Sequence, residues 1–367
     1  MNCFNFHMPT RVFFGKDRIS ELGRCIDPAF KRILIVTEPN VAHRSGALDK
    51  TLEQLSGRDV TLFTNVEENP SFQVIEKGRQ MARGSEAQLV IGIGGGSPMD
   101  AAKGIAVLST NDGDMRDFIS GEPLREGPLP IMCIPTTSGT GSEVTPYAVF
   151  TDRDAGTKGG YAHPKLFPTL SIVDPVLTYS MPESVVVNTG LDVLTHSIEA
   201  YLSTISSPMN DVIALESINI VLDHLKEATK KNTAAMDEMA YASMLGGLAI
   251  AHGGTILLHV MGYPLTIFHG VPHGRANAAL LPEFVRFMGE RSTVRPKVHF
   301  LERLFDAHGG LEVFVNDLGV STRLSSYGVR DEEIAVFVKK VIVKDDVRIT
   351  PAAVTEEIIA ELYRAVM

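Results

Sequence analysis

IGIGGGSPMDAAK, residues 91–103, runs from a short apolar stretch through three consecutive glycines into a helix-like segment, with Pro98 suited to a first helical turn. A strand-to-helix junction of this kind exposes backbone N–H groups at a helix N-terminus, where the dipole favours an anion. Gly94, Gly95 and Gly96 let a ligand's phosphates approach the backbone closely. The stretch is not the GxGxxG of a first Rossmann turn, and it lacks the Lys-Ser/Thr of a P-loop. Taken alone it fits a tight turn without a ligand equally well.

Around this junction the hydrophobic period alternates. RILIVTE (32–38) and QLVIGIG (88–94) are continuous apolar runs of strand length, and DVTLFT (59–64) is a weaker one. Residues 41–55, 72–84 and 98–109 read as amphipathic helices, and PIMCIP (130–135), YAVFTD (147–152) and LSIVDP (170–175) as further strands. Continuous apolar strands separated by helices imply a buried, mostly parallel sheet. From about Met181 helices dominate, opening with SMPES, whose serine and proline suit a helix start. They cover 183–204, 208–230, 234–251, 276–289, 291–307, 331–344 and 352–366. The expectation is an α/β domain over 1–180 and an all-α domain over 181–367, with the boundary near 178–182. Two domains also suit a chain of 367 residues.

Composition narrows the classes. A formal charge of −10 argues against a nucleic-acid or anionic-membrane partner, since both need a basic surface. No basic segment followed by an apolar run marks a signal peptide. Cys3, Cys25 and Cys133 are odd in number and form no CxxC pair, so they read as reduced thiols of a cytoplasmic protein. Between Glu238 and Arg275 there is no charged side chain, and MLGGLAIAHGGTILLHVMGYPL is long enough to suggest a membrane span. Its glycines, proline and histidines, and the scarcity of basic flanks, favour a buried helical pair and no membrane partner.

Two features add to the glycine loop. PTTSGTGSE (135–143) follows a predicted strand and so would face the carboxyl end of the sheet, where ligands of open α/β folds bind. Glu38 ends the first strong strand, where a carboxylate suits an adenosine ribose and repels a 2′-phosphate, favouring NAD over NADP. In GLDVLTHSIEAYLS (190–203), Asp192 and His196 stand four apart, on one face of a helix. His259 and His273 follow in the charge-free stretch, together with His252 and His269. His7, His43, His163, His224 and His308 have no such company. One carboxylate and three imidazoles suit a divalent transition metal. With the glycine loop, they point to a metal-dependent dehydrogenase.

MPTRVFFG (8–15), GGGSPMDAAK (94–103), PTTSGTGSEVT (135–145), GLDVLTHSIEAY (190–201) and HVMGYPLTIFHGVPHGRANAALLP (259–282) together resemble the iron-containing (group III) alcohol dehydrogenases, in order and over nearly the whole chain. The resemblance implies the dehydroquinate synthase-like, group III alcohol dehydrogenase fold, with NAD(P) in the α/β domain. It also implies a divalent metal, usually Fe²⁺ with Zn²⁺ as the alternative, in the helical one. It places the metal ligands at Asp192, His196, His259 and His273. It places cofactor contacts at Glu38, Asn69, Gly94, Gly95, Gly96, Ser97, Asp100, Thr136, Thr137, Thr140 and Lys158. Asp100 either braces the loop or touches the nicotinamide side, and Lys158 follows a polar turn, TDRDAGTK.

The implied activity is hydride transfer between NAD(P) and a small neutral primary alcohol or diol, the metal acting as Lewis acid. Relatives are commonly dimers or larger homo-oligomers. One position departs from the pattern. Many members carry HxxxHPLG, with a proton-relay histidine four residues after the third ligand; here HVMGYPLT places Tyr263 there, a variant resembling a subfamily that includes enzymes labelled 1,3-propanediol dehydrogenases. Tyr263 and His269 are the candidates for that proton role. Alternatives on the same fold are a dehydroquinate synthase-like or glycerol-dehydrogenase-like enzyme, and a non-catalytic metal- or nucleotide-binding regulator. The first would want several Lys and Arg residues near the metal, and residues 239–274 hold none.

Overall fold

The computed structural model describes residues 3–39, 41–153 and 157–367. The chain forms two compact units: His7–Pro182, and Glu183–Met367 joined by the first described residues up to Phe6.

The first unit holds strands β1 (Arg11–Phe14), β2 (Arg32–Thr37), β3 (Asp59–Phe63), β4 (Leu89–Gly94), β5 (Ile131–Pro135), β6 (Tyr147–Asp152), β7 (Thr157–Ala162) and β8 (Leu170–Val173). Six form one sheet in the order β1-β8-β5-β4-β2-β3, and every neighbouring pair is parallel. Ile33 and Ile35 of β2 bury against Leu48, Leu89 and Ile91 on one face, while Leu34 and Val36 bury against Phe63, Val90 and Ile105 on the other. Burial on both faces is why RILIVT reads as an unbroken apolar run. Helices α1 (Ala47–Gln54), α2 (Phe72–Gly84) and α3 (Gly96–Thr110) cover those faces.

Three readings change. The stretch 41–55 is a short turn of helix, Val41–Arg44, and α1, separated at Gly46 with φ +73°. YAVFTD leaves the main sheet: as β6 it pairs antiparallel with β7 in a separate two-stranded sheet. MPTRVFFG contributes β1, an edge strand beside β8 that no apolar pattern marked.

From β2 the chain steps outward to β3, then returns across β2 to β4 and proceeds the other way through β5 to β8. The strand order therefore reverses between β2 and β4, and the crevice beyond their carboxyl ends is where such sheets bind ligands.

The second unit is built of helices α4 (Glu183–Leu202), α5 (Pro208–Thr229), α6 (Thr233–Gly253), α7 (Leu257–His269), α8 (His273–Arg291), α9 (Arg295–Ala307), α10 (Leu311–Asp317), α11 (Ile334–Val341) and α12 (Glu356–Ala365). Periodicity passed over α7 and α10. Helix α7 carries apolar residues around most of its surface, so it has no stripe to detect. Among the described residues no single helix is long and apolar enough to cross a membrane, and the charge-free pair α6–α7 bends by 114° at its break.

Candidate active site

Glu38 directly follows β2 and accepts the N–H of Gly95, which follows β4, so the two flank the reversal point. Burial, and then the charge of Glu68, pushes its carboxyl above the usual range, against the pull of that N–H. Gly94 has φ +143°, and a Cβ there would also meet the Pro98 ring at 2.7 Å. Gly95 is the N-cap of α3 and has no side chain to bond the first-turn N–H groups, which leaves them to an anion.

The second loop packs onto the first. Thr136 donates its N–H to Gly94 O at 2.9 Å. Thr137 Oγ1 and the Thr140 methyl lie 3.3 and 2.7 Å from where side chains on Gly95 and Gly96 would begin. Ser97 Oγ accepts the N–H of Asn69 at 3.1 Å, and Asn69 Oδ1 accepts from Lys158 Nζ at 2.7 Å. Residues 154–156 of the polar turn before Lys158 lie outside the described residues. Asp100 braces: Oδ1 accepts from Ser142 Oγ at 2.7 Å and Oδ2 from Val149 N at 2.9 Å.

Beneath them sits Lys103, fully buried on α3. Its ammonium donates to Ser142 O (2.7 Å), Ser142 Oγ (2.8 Å), Thr145 O (2.9 Å), Thr145 Oγ1 (3.3 Å) and Tyr147 O (2.7 Å). It fastens the second loop to the helix that carries the first. Burial lowers its pKa and the Asp100 charge opposes this. Sequence reading missed it, although a lysine inside AAKGIAVL was a visible signal.

In the helical unit, Asp192 and His196 leave the same face of α4, with Oδ2 and Nε2 4.0 Å apart. His259 enters from the first turn of α7 and stacks on His196 with ring centroids 4.7 Å apart. Ligand atoms of Asp192, His196 and His259 all lie within 4.8 Å of one another, and the three side chains are buried. His273 enters from the start of α8, and its Nε2 lies 2.8 Å from His259 Nε2. Gly274 lets it reach: a Cβ there would fall 1.9 Å from Asn188 O and 2.9 Å from Asp192 Cβ, so only glycine allows α8 this close to α4. Burial disfavours the Asp192 carboxylate, but His196, His273 and His259 outweigh it and hold the group below the usual range. This donor set fits a divalent transition ion. It offers one carboxylate and three convergent imidazoles, two of which present ring nitrogens too close for both to carry protons.

Tyr263, one turn after His259 on α7, stacks on His273 with centroids 5.4 Å apart and presents its ring to the edge of His259 at 6.2 Å. Burial, followed by the charges of Asp346, Glu199 and Asp192, raises its phenol well above the usual range. His269 is not gathered here. It lies at the far end of α7, about 15 Å along the axis from His259 at the usual rise, and pairs with Glu333 at 3.3 Å. Two buried residues escaped sequence reading. Glu199, seven positions after Asp192, bonds His259, and the Asn277 amide lies 3.2 Å from His273 Nε2. The i+7 spacing on α4 was the available sign for Glu199.

Comparison with known proteins covers both parts of the chain. The family model described as iron-containing alcohol dehydrogenase matches residues 9–175, and that of the Fe-containing alcohol dehydrogenase family, C-terminal, matches 186–367. The 1,3-propanediol dehydrogenase of Citrobacter freundii is 32% identical over 382 aligned residues, covering 98% of each chain. The crystal structure of an iron-containing alcohol dehydrogenase from Thermotoga maritima superposes with TM-score 0.92 at 38% identity, covering 99% of each chain. That of sulfoacetaldehyde reductase from Bifidobacterium kashiwanohense, in complex with NAD⁺, gives 0.90 at 29% identity, covering 100% of this chain and 99% of that one. With two family models spanning almost its full length, the chain belongs to the iron-containing alcohol dehydrogenase family.

Proposed function

We propose that this protein is an NAD-linked, metal-dependent alcohol dehydrogenase and aldehyde reductase acting on a small neutral primary alcohol or diol. The observation that carries the reading is the convergence of Asp192, His196, His259 and His273 from three helices in a chain of this family. These four would hold the ion, Fe²⁺ by family and Zn²⁺ by the same donor chemistry. When bound, such an ion supplies Lewis acidity toward the substrate oxygen, while the nicotinamide supplies or takes the hydride.

The chain's own residues bind, orient and move the proton. Asp192 offsets part of the ion's charge. The imidazoles must be neutral to ligate, so metal retention falls in acid. Tyr263 carries the proton in our reading, because it touches two ligand rings whereas His269 is tied to Glu333. A phenol that stays neutral does this as a relay, accepting one proton as it gives another. Gly94, Gly95, Gly96, Ser97, Thr136, Thr137 and Thr140 would cradle the pyrophosphate, with Asn69 and Lys158 beside Ser97 and Asp100 bracing from below. Glu38 would accept from the ribose and disfavour NADP. The stretch 239–274 holds no charged side chain to pair with an anionic substrate, which supports a neutral one.

We further propose a homodimer or larger homo-oligomer, to be measured by sedimentation, and a cytoplasmic setting suited to three free cysteines. The test is anaerobic purification, metal analysis and a panel of alcohols and diols, 1,3-propanediol first, with NAD and NADP. His259→Ala and His273→Ala should lose both metal and turnover. Full alcohol oxidation by metal-free protein would sink the proposal.

A further inference from the structure

Glu199 has no exposed surface and stands on α4 seven residues after Asp192 and three after His196. Its Oε1 accepts the backbone N–H groups of Ile256 at 2.9 Å and His259 at 3.0 Å. These lie at the start of α7, whose N-cap, Ile256, has no side-chain acceptor of its own. Its Oε2 is bonded at 2.9 Å to Nδ1 of the His259 ring. One carboxylate therefore grips both the backbone and the ring of a single histidine.

A helix cap accounts for Oε1 alone; the second oxygen is aimed at a ring nitrogen. Nδ1 faces the carboxylate oxygen at 2.9 Å and, farther off at 3.3 Å, the Asn277 amide nitrogen; with the nearer acceptor it carries the proton, so Nε2 presents its lone pair. That Nε2 is the atom 2.8 Å from His273 Nε2.

We propose that Glu199 is a positioning residue for the metal centre. It holds the His259 ring by Nδ1 and the His259 backbone by its N–H, which fixes the Nδ1–H tautomer and turns Nε2 toward the ion. Carboxylates behind ligating histidines orient the ring and raise its basicity. Here the same side chain also caps the helix that delivers the ligand, so ring and backbone are set by one group. The inference rests on the metal reading of the cluster given above.

Glu199→Gln tests it at nearly constant shape. The amide oxygen can still accept the two backbone N–H groups, while the –NH₂ takes the place of Oε2 and donates to Nδ1. The ring proton must then move to Nε2, where it blocks the ion; the short Nε2–Nε2 contact accommodates a proton from either ring. Long-range ¹H–¹⁵N spectra of the full chain, ¹⁵N-histidine labelled and stripped of metal, are expected to show His259 as Nδ1–H in the wild type and Nε2–H in E199Q. Zn²⁺ titration should give a dissociation constant weaker by about 10- to 100-fold in the variant, with the metal-free melting temperature little changed.

An Nδ1–H ring in E199Q with unaltered Zn²⁺ affinity would reduce Glu199 to a helix cap and overturn the inference alone. A wild-type protein that binds no Zn²⁺ overturns the metal reading and the inference together. Should E199Q not fold, the wild-type spectrum still decides, because an Nε2–H ring there contradicts the assignment directly.

Discussion

At the scale of single residues, Tyr263 stands where the HxxxHPLG pattern has its second histidine. Removing only its hydroxyl in Tyr263→Phe should lower kcat by about 10²-fold, the low end of general acid–base contributions, with metal content unchanged. His269→Ala should leave kcat within a small factor; the reverse pattern in steady-state kinetics would move the proton route to His269. Glu143, buried in the second loop, makes a separate prediction about pH. Burial pushes its carboxyl from 4.5 up to about 7, against its own backbone N–H and Lys103. The folded state thus holds this proton more tightly than the unfolded one. That stabilisation is complete below about pH 4.5 and is lost as pH rises through about 7. Between pH 5 and pH 8 the stability difference between Glu143→Gln and wild type should shift toward the variant by roughly 2.5 kcal/mol. Urea denaturation at the two pH values checks this, and parallel curves would refute it. The four residues proposed as metal ligands were legible as residue types in order, and the structure gathers them. Glu199 offered only its i+7 spacing from Asp192, because the ring nitrogen it faces is brought by another helix.

At the scale of elements, what assembles the metal cluster is the approach of α8 to α4 at Gly274. Gly274→Ala forces a methyl group into Asn188 O and the Asp192 side chain. Overpacking of this kind costs about 1–3 kcal/mol, and here it pushes His273 outward. The expected result is a melting temperature several degrees lower together with weaker Zn²⁺ binding, read by thermal denaturation and titration. Loss of stability alone, with full affinity, would mean that the helix spacing does not set the site. Elements were readable where one rule governed them. Strands buried on both faces appear as unbroken apolar runs, and α2 spans the residues its period marked, 72–84. YAVFTD alternates buried and part-exposed positions, the sign of a strand covered on one side, and that pattern distinguishes β6 from the parallel strands. β1 was invisible because it is four residues long and largely part-exposed, and its pairing is fixed only by β8.

At the scale of the whole molecule, the residues proposed to bind the cofactor and those proposed to bind the metal belong to different compact units. A ligand stabilises the unit whose folded form binds it. Calorimetry should therefore show NAD raising the transition of the α/β unit, and chelator lowering that of the helical one. A single transition moved equally by both would show that the units unfold together. The connectivity also bears on synthesis. Arg11 of β1 pairs with Leu170 of β8, its neighbour in the sheet, and Phe6 stacks on His252 with centroids 4.1 Å apart. Phe6 and β1 thus emerge long before the residues that hold them. At about 5–20 residues per second, β1 waits on the order of ten seconds or more for its partner, and Phe6 longer still. During translation β1 is therefore a strand without its sheet partner until β8 has emerged, an exposed edge of the kind that chaperones cover.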